Sequence, residues 1–357
     1  MTARSFVSEE SPAIGEVAGQ SVALHYGDVA AEYAALRTSA MLIDRSARGR
    51  MRVSGAKAPE MIGGLVTNDV QSLTPGHGLY AAALSPKGKI IADVRIFLGD
   101  DRLHVDVPPR AYAGWRAMVQ KYVNPRLAPY ADESVALRDL GIFGAAARRV
   151  AAAVTGLAPE TLAALPLYGH RTVERHGANV VVARVPDLEL EGYELFVPAE
   201  AFSALWQDAV AAGAVPGGLM AWEIARIEAG RPEWGLDIDD TTIPQEAGFD
   251  ELHAISYTKG CYIGQEVVAR VHFRGHVNRH LRGLLFPESE PAPEGAGLVD
   301  GDDKVVGDVR SRARSPRLGS IALAMVRREV EPGTALRARW EGGEARAEVV
   351  RLPFPVA

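Results

Sequence analysis

The chain has 357 residues, 47% hydrophobic and 24% charged, an ordinary balance for a globular protein of two or three domains. Asp plus Glu number 45 against 39 Lys plus Arg, and the net charge of -6 argues against a general binder of DNA or RNA. One cysteine, Cys261, excludes an intramolecular disulfide and any zinc site built from several cysteines.

The first residues carry Glu9 and Glu10 and no apolar core of signal-peptide length, and no stretch of about 18 apolar residues occurs. A cytoplasmic protein without a membrane span is therefore expected. Asp28 is a candidate N-cap for a helix running to Arg37. Met51 to Gly55 alternates like a strand, Ala58 to Leu65 reads as a helix, and Val66-Thr-Asn-Asp-Val70 follows. Leu79–Leu84 and Lys89–Phe97 read as two strands joined by the turn Ser85-Pro-Lys-Gly88, a hairpin. Tyr112–Tyr122 returns to a helical pattern. The middle repeats this texture, with strands at 179–185 and 193–197 and helices at 202–212 and 222–229 ended by Gly213 and Gly230. Two α+β segments of similar order suggest two related halves. From Leu281 onward, short β runs at 281–286, 304–309, 321–326, 335–340 and 346–352 alternate with Pro-, Gly- and Asp-rich turns, which predicts a small barrel.

Several motifs are absent. Gly88-Lys89 is followed by Ile90, so it is not a phosphate-binding loop, and neither a His-Glu-x-x-His helix nor a Gly-x-Ser-x-Gly elbow occurs. His272, His276 and His280 recur every four residues. Local β-branched composition favours a strand there, and solvated histidines are expected in place of a metal site. Between Glu233 and Glu251 lie seven acids and no Lys or Arg. Between Lys259 and Arg282 lie five Lys or Arg, three His and one acid. These read either as two solvated faces or as an anion-binding face beside a partner-binding face.

The most informative stretch is Lys259-Gly-Cys-Tyr-Ile-Gly-Gln-Glu-Val-Val-Ala-Arg270. Gly260 and Gly264 allow positive φ on either side of Cys261, so the thiol could sit on a tight turn. Lys259 and Arg270 would favour the thiolate if they lie close to it. Gln265 and Glu266 could bond backbone or ligand. The plainer reading is a small buried cysteine.

This segment resembles the signature of the YgfZ-type folate-binding proteins. Trp222–Pro232, Pro244-Gln245, Ile255-Ser256, Phe273-Arg274-Gly275 and Arg279 extend the likeness over about fifty residues. The remainder resembles the wider group containing the glycine-cleavage aminomethyltransferase, through Glu32-Tyr33, Arg37, Asp44, Ser46, Thr67-Asn68-Asp69-Val70, Val306-Gly307, Ser315-Pro316 and Pro353-Phe354. The resemblance implies an α+β protein of three domains around a central folate-binding hole. These would be residues 1–128 (α+β), 129–278 (α+β, with the cysteine motif) and 279–357 (β-barrel). It differs from the transferase at two points. One member of a pair of acids is lost, leaving Asp93 beside Ala92, and Leu190 stands where a pterin-anchoring Glu is expected, although Gly192-Tyr193-Glu194 is kept.

The first function this implies is a tetrahydrofolate-binding accessory factor that supports 4Fe–4S proteins, including tRNA-modifying enzymes, through transient partner contacts. Cys261 would be the reactive thiol, with Lys259, Gly260, Gln265, Glu266 and Arg270 around it. A cluster takes about four thiolates, so Cys261 would lend one ligand or attack a partner's sulfur. Trp222, Arg226, Tyr80, Asp93, Glu194 and Arg274 would hold the folate. Core packing is the competing reading for Trp222 and Tyr80, and a plain helix-surface role for Arg226. The second function is a one-carbon transferase in which Asp93 is the acid or base and Cys261 incidental. A folate-binding module without chemistry is the third.

Overall fold

A computed structural model describes residues 11–355. Glu9 and Glu10, on which the reading of the leader rested, lie outside the described residues. β1 (Ala13–Val17) and β2 (Gln20–His25) form a hairpin. α1 (Val29–Thr38) starts as expected, with Asp28 accepting from the Ala30 and Ala31 amides at 2.9 and 3.1 Å. That satisfies two of the N–H groups every helix start leaves open. β3 (Ala40–Asp44), β4 (Gly49–Ser54), α2 (Ala58–Gly63), β5 (His77–Leu84), β6 (Ile90–Leu98), β7 (Arg102–Val107), α3 (Tyr112–Tyr122) and β8 (Tyr130–Asp132) follow. Then come β9 (Leu137–Phe143), α4 (Ala147–Thr155), α5 (Pro159–Ala163), β10 (His170–Arg175), β11 (Ala178–Arg184), β12 (Gly192–Pro198), α6 (Phe202–Ala211), β13 (Ala214–Pro216) and α7 (Leu219–Glu228).

The two halves share a topology. One sheet runs β5-β6-β7-β4-β8, the other β10-β11-β12-β9-β3-β13. In each, one strand is followed by helix, then by a three-stranded meander whose last strand returns beside the first. The boundary at residue 128 needs correction. β3 from the N-terminal segment pairs with β9 of the second sheet, and β8, beyond residue 128, pairs with β4 of the first. The sheets are therefore built from interleaved stretches of chain.

β6 is buried on both faces. Ala92, Val94 and Ile96 pack with Trp115 of α3 in one core. Phe97 and Tyr80 enter a second, aromatic core with Phe143, Tyr168, Phe196, Trp222 and Phe249, which joins the two sheets. Charges on β6 can survive such burial only if they are paired or neutral.

Residues 265–274 form α8 (Gln265–Arg274), not the strand that the valines suggested. The C-terminal unit is β14 (Arg279–Phe286), β15 (Gly297–Val299), β16 (Val305–Ser315), β17 (Gly319–Arg327), β18 (Ala335–Trp340) and β19 (Gly343–Val350). They close in the order β14-β17-β16-β15-β18-β19, as the barrel reading expected; the short β15 was not foreseen. Among the described residues no helix is long and apolar enough to cross a membrane.

Candidate active site

Where the two sheets meet lies a largely buried charged network. Arg95 faces Asp106 across the β6–β7 ladder and donates to Asp106 Oδ2 from Nε at 2.8 Å. It also donates to Asp187 Oδ2 at 3.2 Å and pairs with Glu194 of β12. Arg48 Nε donates to the same Asp106 oxygen at 2.7 Å. Arg45 joins Glu194 (2.7 Å) to Asp187 (3.3 Å) and lays its guanidinium 3.8 Å from the Trp222 ring centre. Burial would raise Asp187, but Arg95, Arg231, Arg45 and Arg48 outweigh it and hold its pKa at about 2. Asp139 is driven the other way, well above the carboxylate range, by burial and by the charges of Glu194 and Asp106.

Asp93 sits at the edge of this network. It is 6% exposed, and its Oδ2 accepts from the Tyr80 hydroxyl at 2.9 Å. Its Oδ1 is buried without a partner. Burial lifts the Asp93 carboxyl above its usual range, against the pull of Arg48, the Tyr80 hydroxyl and Arg231. The Tyr80 ring lies beneath the Arg231 guanidinium, 4.1 Å away, and Arg231 also donates to the Tyr168 hydroxyl at 3.3 Å. Trp222, 5% exposed and edge-on to Phe143, lines a cleft of about 70 Å³ with Arg45, Arg48, Arg110 and Glu233. A larger crevice of about 460 Å³ opens on the barrel side, lined by Gly230, Leu252, His280 and Arg282.

Arg226 does not reach this site with a free guanidinium. It is 1% exposed and donates to Asp237 (2.7 Å), Ser311 of the barrel (2.6 Å) and Glu223 (2.9 Å). It fastens α7 to the barrel and is neither a surface arginine nor a free carboxylate binder. Glu194 is likewise consumed by Arg45 and Arg95.

The cysteine segment sends Tyr262 and Val268 into the aromatic core that also holds Tyr80 and Trp222. Cys261 is exposed, which overturns the buried-core reading. Lys259 was expected to assist it. Instead its Nζ donates to the carbonyls of Gly63 (2.5 Å), Val66 (2.7 Å) and Asn68 (2.8 Å). An ammonium has only three N–H groups, so none remains for a thiolate. Burial pulls the Lys259 pKa down to about 8. Lys259 is a strap that ties residues 254–263 to the loop after α2. The same loop is held by Thr67 Oγ1, which donates to the Ala254 carbonyl at 2.7 Å, and by Asn68 Nδ2, which donates to the Tyr80 and His253 carbonyls at 2.9 Å each. Hydrogen bonds to a charged group contribute about 1.5–3 kcal/mol each at best, so Lys259→Met, with partial exposure discounted, is expected to cost about 2 kcal/mol. Faster amide exchange confined to residues 256–263 would report it.

Gly264 is in the left-handed region (φ +82), whereas Gly260 is not. A Cβ on Gly264 would stand 2.6 Å from the Ser85 carbonyl oxygen, and one on Gly88 would stand 2.6 Å from Val267 Cβ. The start of α8 is thus seated on the β5–β6 turn. Gly264→Ala is expected to lower stability by about 1–3 kcal/mol, read by urea unfolding. Gln265 begins the helix, half-buried, while Glu266, Arg270 and Arg274 are exposed on it. Arg274 is therefore not placed with Trp222 or Asp93. His272 stacks on Tyr257 at 3.6 Å, His276 lies beyond α8, and His280 belongs to β14. No group of three or more His, Cys, Asp or Glu among the described residues could hold a metal. Nor do the acidic and basic stretches form separate faces throughout, since Glu246 of the one pairs with Arg279 of the other.

Comparison with known proteins fits this architecture. Residues 5–256 match the GCVT N-terminal domain, and residues 279–355 the glycine cleavage T-protein C-terminal barrel domain. The chain belongs to the glycine cleavage T-protein family. An aminomethyltransferase of Thermosynechococcus vestitus is 32% identical over 337 residues, covering 93% of this chain and 89% of the relative. One of Bordetella parapertussis is 30% identical over 364 residues, covering 98% and 96%. The fold is that of the glycine cleavage system aminomethyltransferase T from Bartonella henselae, with a TM-score of 0.85 over 96% of this chain and 94% of that one, at 22% identity.

Of the residues gathered here within this T-protein fold, the sequence reading named Tyr80, Asp93, Glu194 and Trp222. It missed Arg45, Arg48, Arg95, Asp106, Asp187, Arg231 and Glu233. One signal was available: Asp93 and Arg95 are two charges at alternate positions of an otherwise apolar strand, hence on one face.

Proposed function

We propose that this T-protein is a one-carbon transferase acting with a reduced folate at the buried Asp93. The observation that carries this reading is the Asp93 carboxyl, enclosed and raised in pKa, with one oxygen held by Tyr80 and the other without a protein partner. An enclosed acid with a free oxygen is suited to bond and exchange a proton with a ring nitrogen. The folate, when bound, supplies the nitrogens that accept the one-carbon unit. Trp222 offers an aromatic wall for a heterocycle, with the Arg45 guanidinium against its ring, and the charges of Arg48 and Arg231 bear on the acid. A pterin needs more room than the cleft of about 70 Å³ provides, so binding includes movement of side chains there. The names of the relatives support the transfer reading. The test is turnover: purified protein with tetrahydrofolate and a methylamine donor should form methylene-tetrahydrofolate. No product with any simple methylamine donor would count against it.

A second reading is favoured by one observation, the exposed Cys261 on its strapped loop. In it the chain is a YgfZ-type folate-dependent factor supporting 4Fe–4S proteins, with Cys261 meeting a partner's sulfur or cluster. Complementation separates the two. If a deletion strain loses 4Fe–4S enzyme activity and regains it with wild type but not Cys261→Ala, this second reading holds. Equal rescue by both removes the thiol from the function.

A further inference from the structure

Asp93 is almost wholly buried, and its protein neighbours offer it no ready proton. Arginines do not give theirs up. The Tyr80 hydroxyl is held well above its usual pKa by burial and by the Asp93 charge. A carboxyl that gives or takes a proton in each turnover must be reset from solvent.

Glu233 is placed for that. It follows Pro232 after α7, where its backbone is fixed at both ends. Its amide donates to Asp237 Oδ2 at 2.9 Å, and its carbonyl accepts from the Leu236 and Asp237 amides at 3.2 and 2.9 Å. Its side chain is 18% exposed and lines the same cleft as Trp222, Arg45 and Arg48. Among the described residues, its carboxylate accepts no hydrogen bond, and its cationic contact is Arg110 at 3.6 Å. The charged groups that bear on it come from several elements: Arg226 and Glu223 of α7, Arg48 of the turn before β4, Asp93 of β6, and Arg110 before α3.

We propose that Glu233 is the proton-exchange group of the central site, passing protons between solvent in the Trp222 cleft and the buried Asp93. In the resetting step, the Glu233 O–H bond breaks, water carries the proton, and an O–H bond forms on Asp93. Glu233 then regains a proton from bulk water. Burial raises the Glu233 pKa to about 7; Arg226 and Arg48 oppose the rise, while Glu223 and Asp93 add to it. A carboxyl titrating there can donate and accept near neutrality. The inference rests on the reading of Asp93 given above, but part of its test does not need the folate.

The experiment is a carboxyl-carbon NMR titration of the ligand-free protein labelled at glutamate Cδ. One glutamate signal should titrate near pH 7, be absent in Glu233→Gln, and move down by about half a pH unit in Asp93→Asn, as loss of a nearby negative charge requires. A Glu233 signal titrating in the ordinary range of about 4–5 would overturn the proposal, as would a midpoint unmoved by Asp93→Asn. In turnover, Glu233→Gln should shift or remove the limb of the kcat/KM profile near pH 7, and a limb unchanged from wild type would also overturn it. Failure of the folate reading shows separately, as absence of tetrahydrofolate binding by wild type.

Discussion

Asp93→Asn is expected to lower turnover onto tetrahydrofolate by about 10²–10⁴-fold while leaving the protein folded, the range usual for loss of a positioned acid or base. The amide keeps an oxygen to accept from Tyr80, so the local packing survives. Stability should move the opposite way. The folded pKa of Asp93 is raised, so above the unfolded carboxylate pKa the native state holds more protons than the unfolded one. Stability from this group is present at low pH and lost as pH rises through the folded pKa. At neutral pH the neutral amide escapes that cost, and Asp93→Asn should unfold at equal or higher urea than wild type. The gap should close below about pH 4, where the unfolded carboxylate is protonated as well. A variant that is inactive and also less stable at pH 7 would mean that Asp93 is a structural residue.

Arg226→Met is expected to cost about 3–5 kcal/mol, because removing one partner of a buried pair leaves the other charge uncompensated. Asp237 is fully buried and would keep two amide donors, from Glu233 and Ser311, but lose its cation. The link from α7 to the barrel through Ser311 would go as well. Urea unfolding measures the loss. If instead stability is unchanged and tetrahydrofolate binding falls, Arg226 is a ligand residue after all.

Local signals carried much of the fold. The Asp28 cap, the Ser85–Gly88 hairpin turn and the helix at 112–122 were legible because neighbours in sequence decide them. The segment 265–274 was misread because Val267, Val268 and Val271 look β-rich. Its helix depends on distant contacts: Gly264 seats its start on the β5–β6 turn, and Val268 enters the aromatic core. Its C-terminal His272 and Arg274 also suit a helix end. The interleaving of the sheets was hidden because β3 is claimed by β9, about a hundred residues later. At the site, resemblance pointed to Asp93 and Trp222. The arginines that surround them come from four separate segments, and only the β6–β7 register sets Arg95 opposite Asp106. Spacing alone also placed Lys259 beside Cys261, but side-chain direction sent its ammonium to three carbonyls of another segment.

The most direct measurement is calorimetric titration of tetrahydrofolate, without oxygen, into wild type and Asp93→Asn. Binding of one folate per chain, weakened roughly tenfold or more in the variant by loss of one charged hydrogen bond, is the result expected. No binding by wild type, or equal affinity in both proteins, would contradict a reduced-folate site at Asp93.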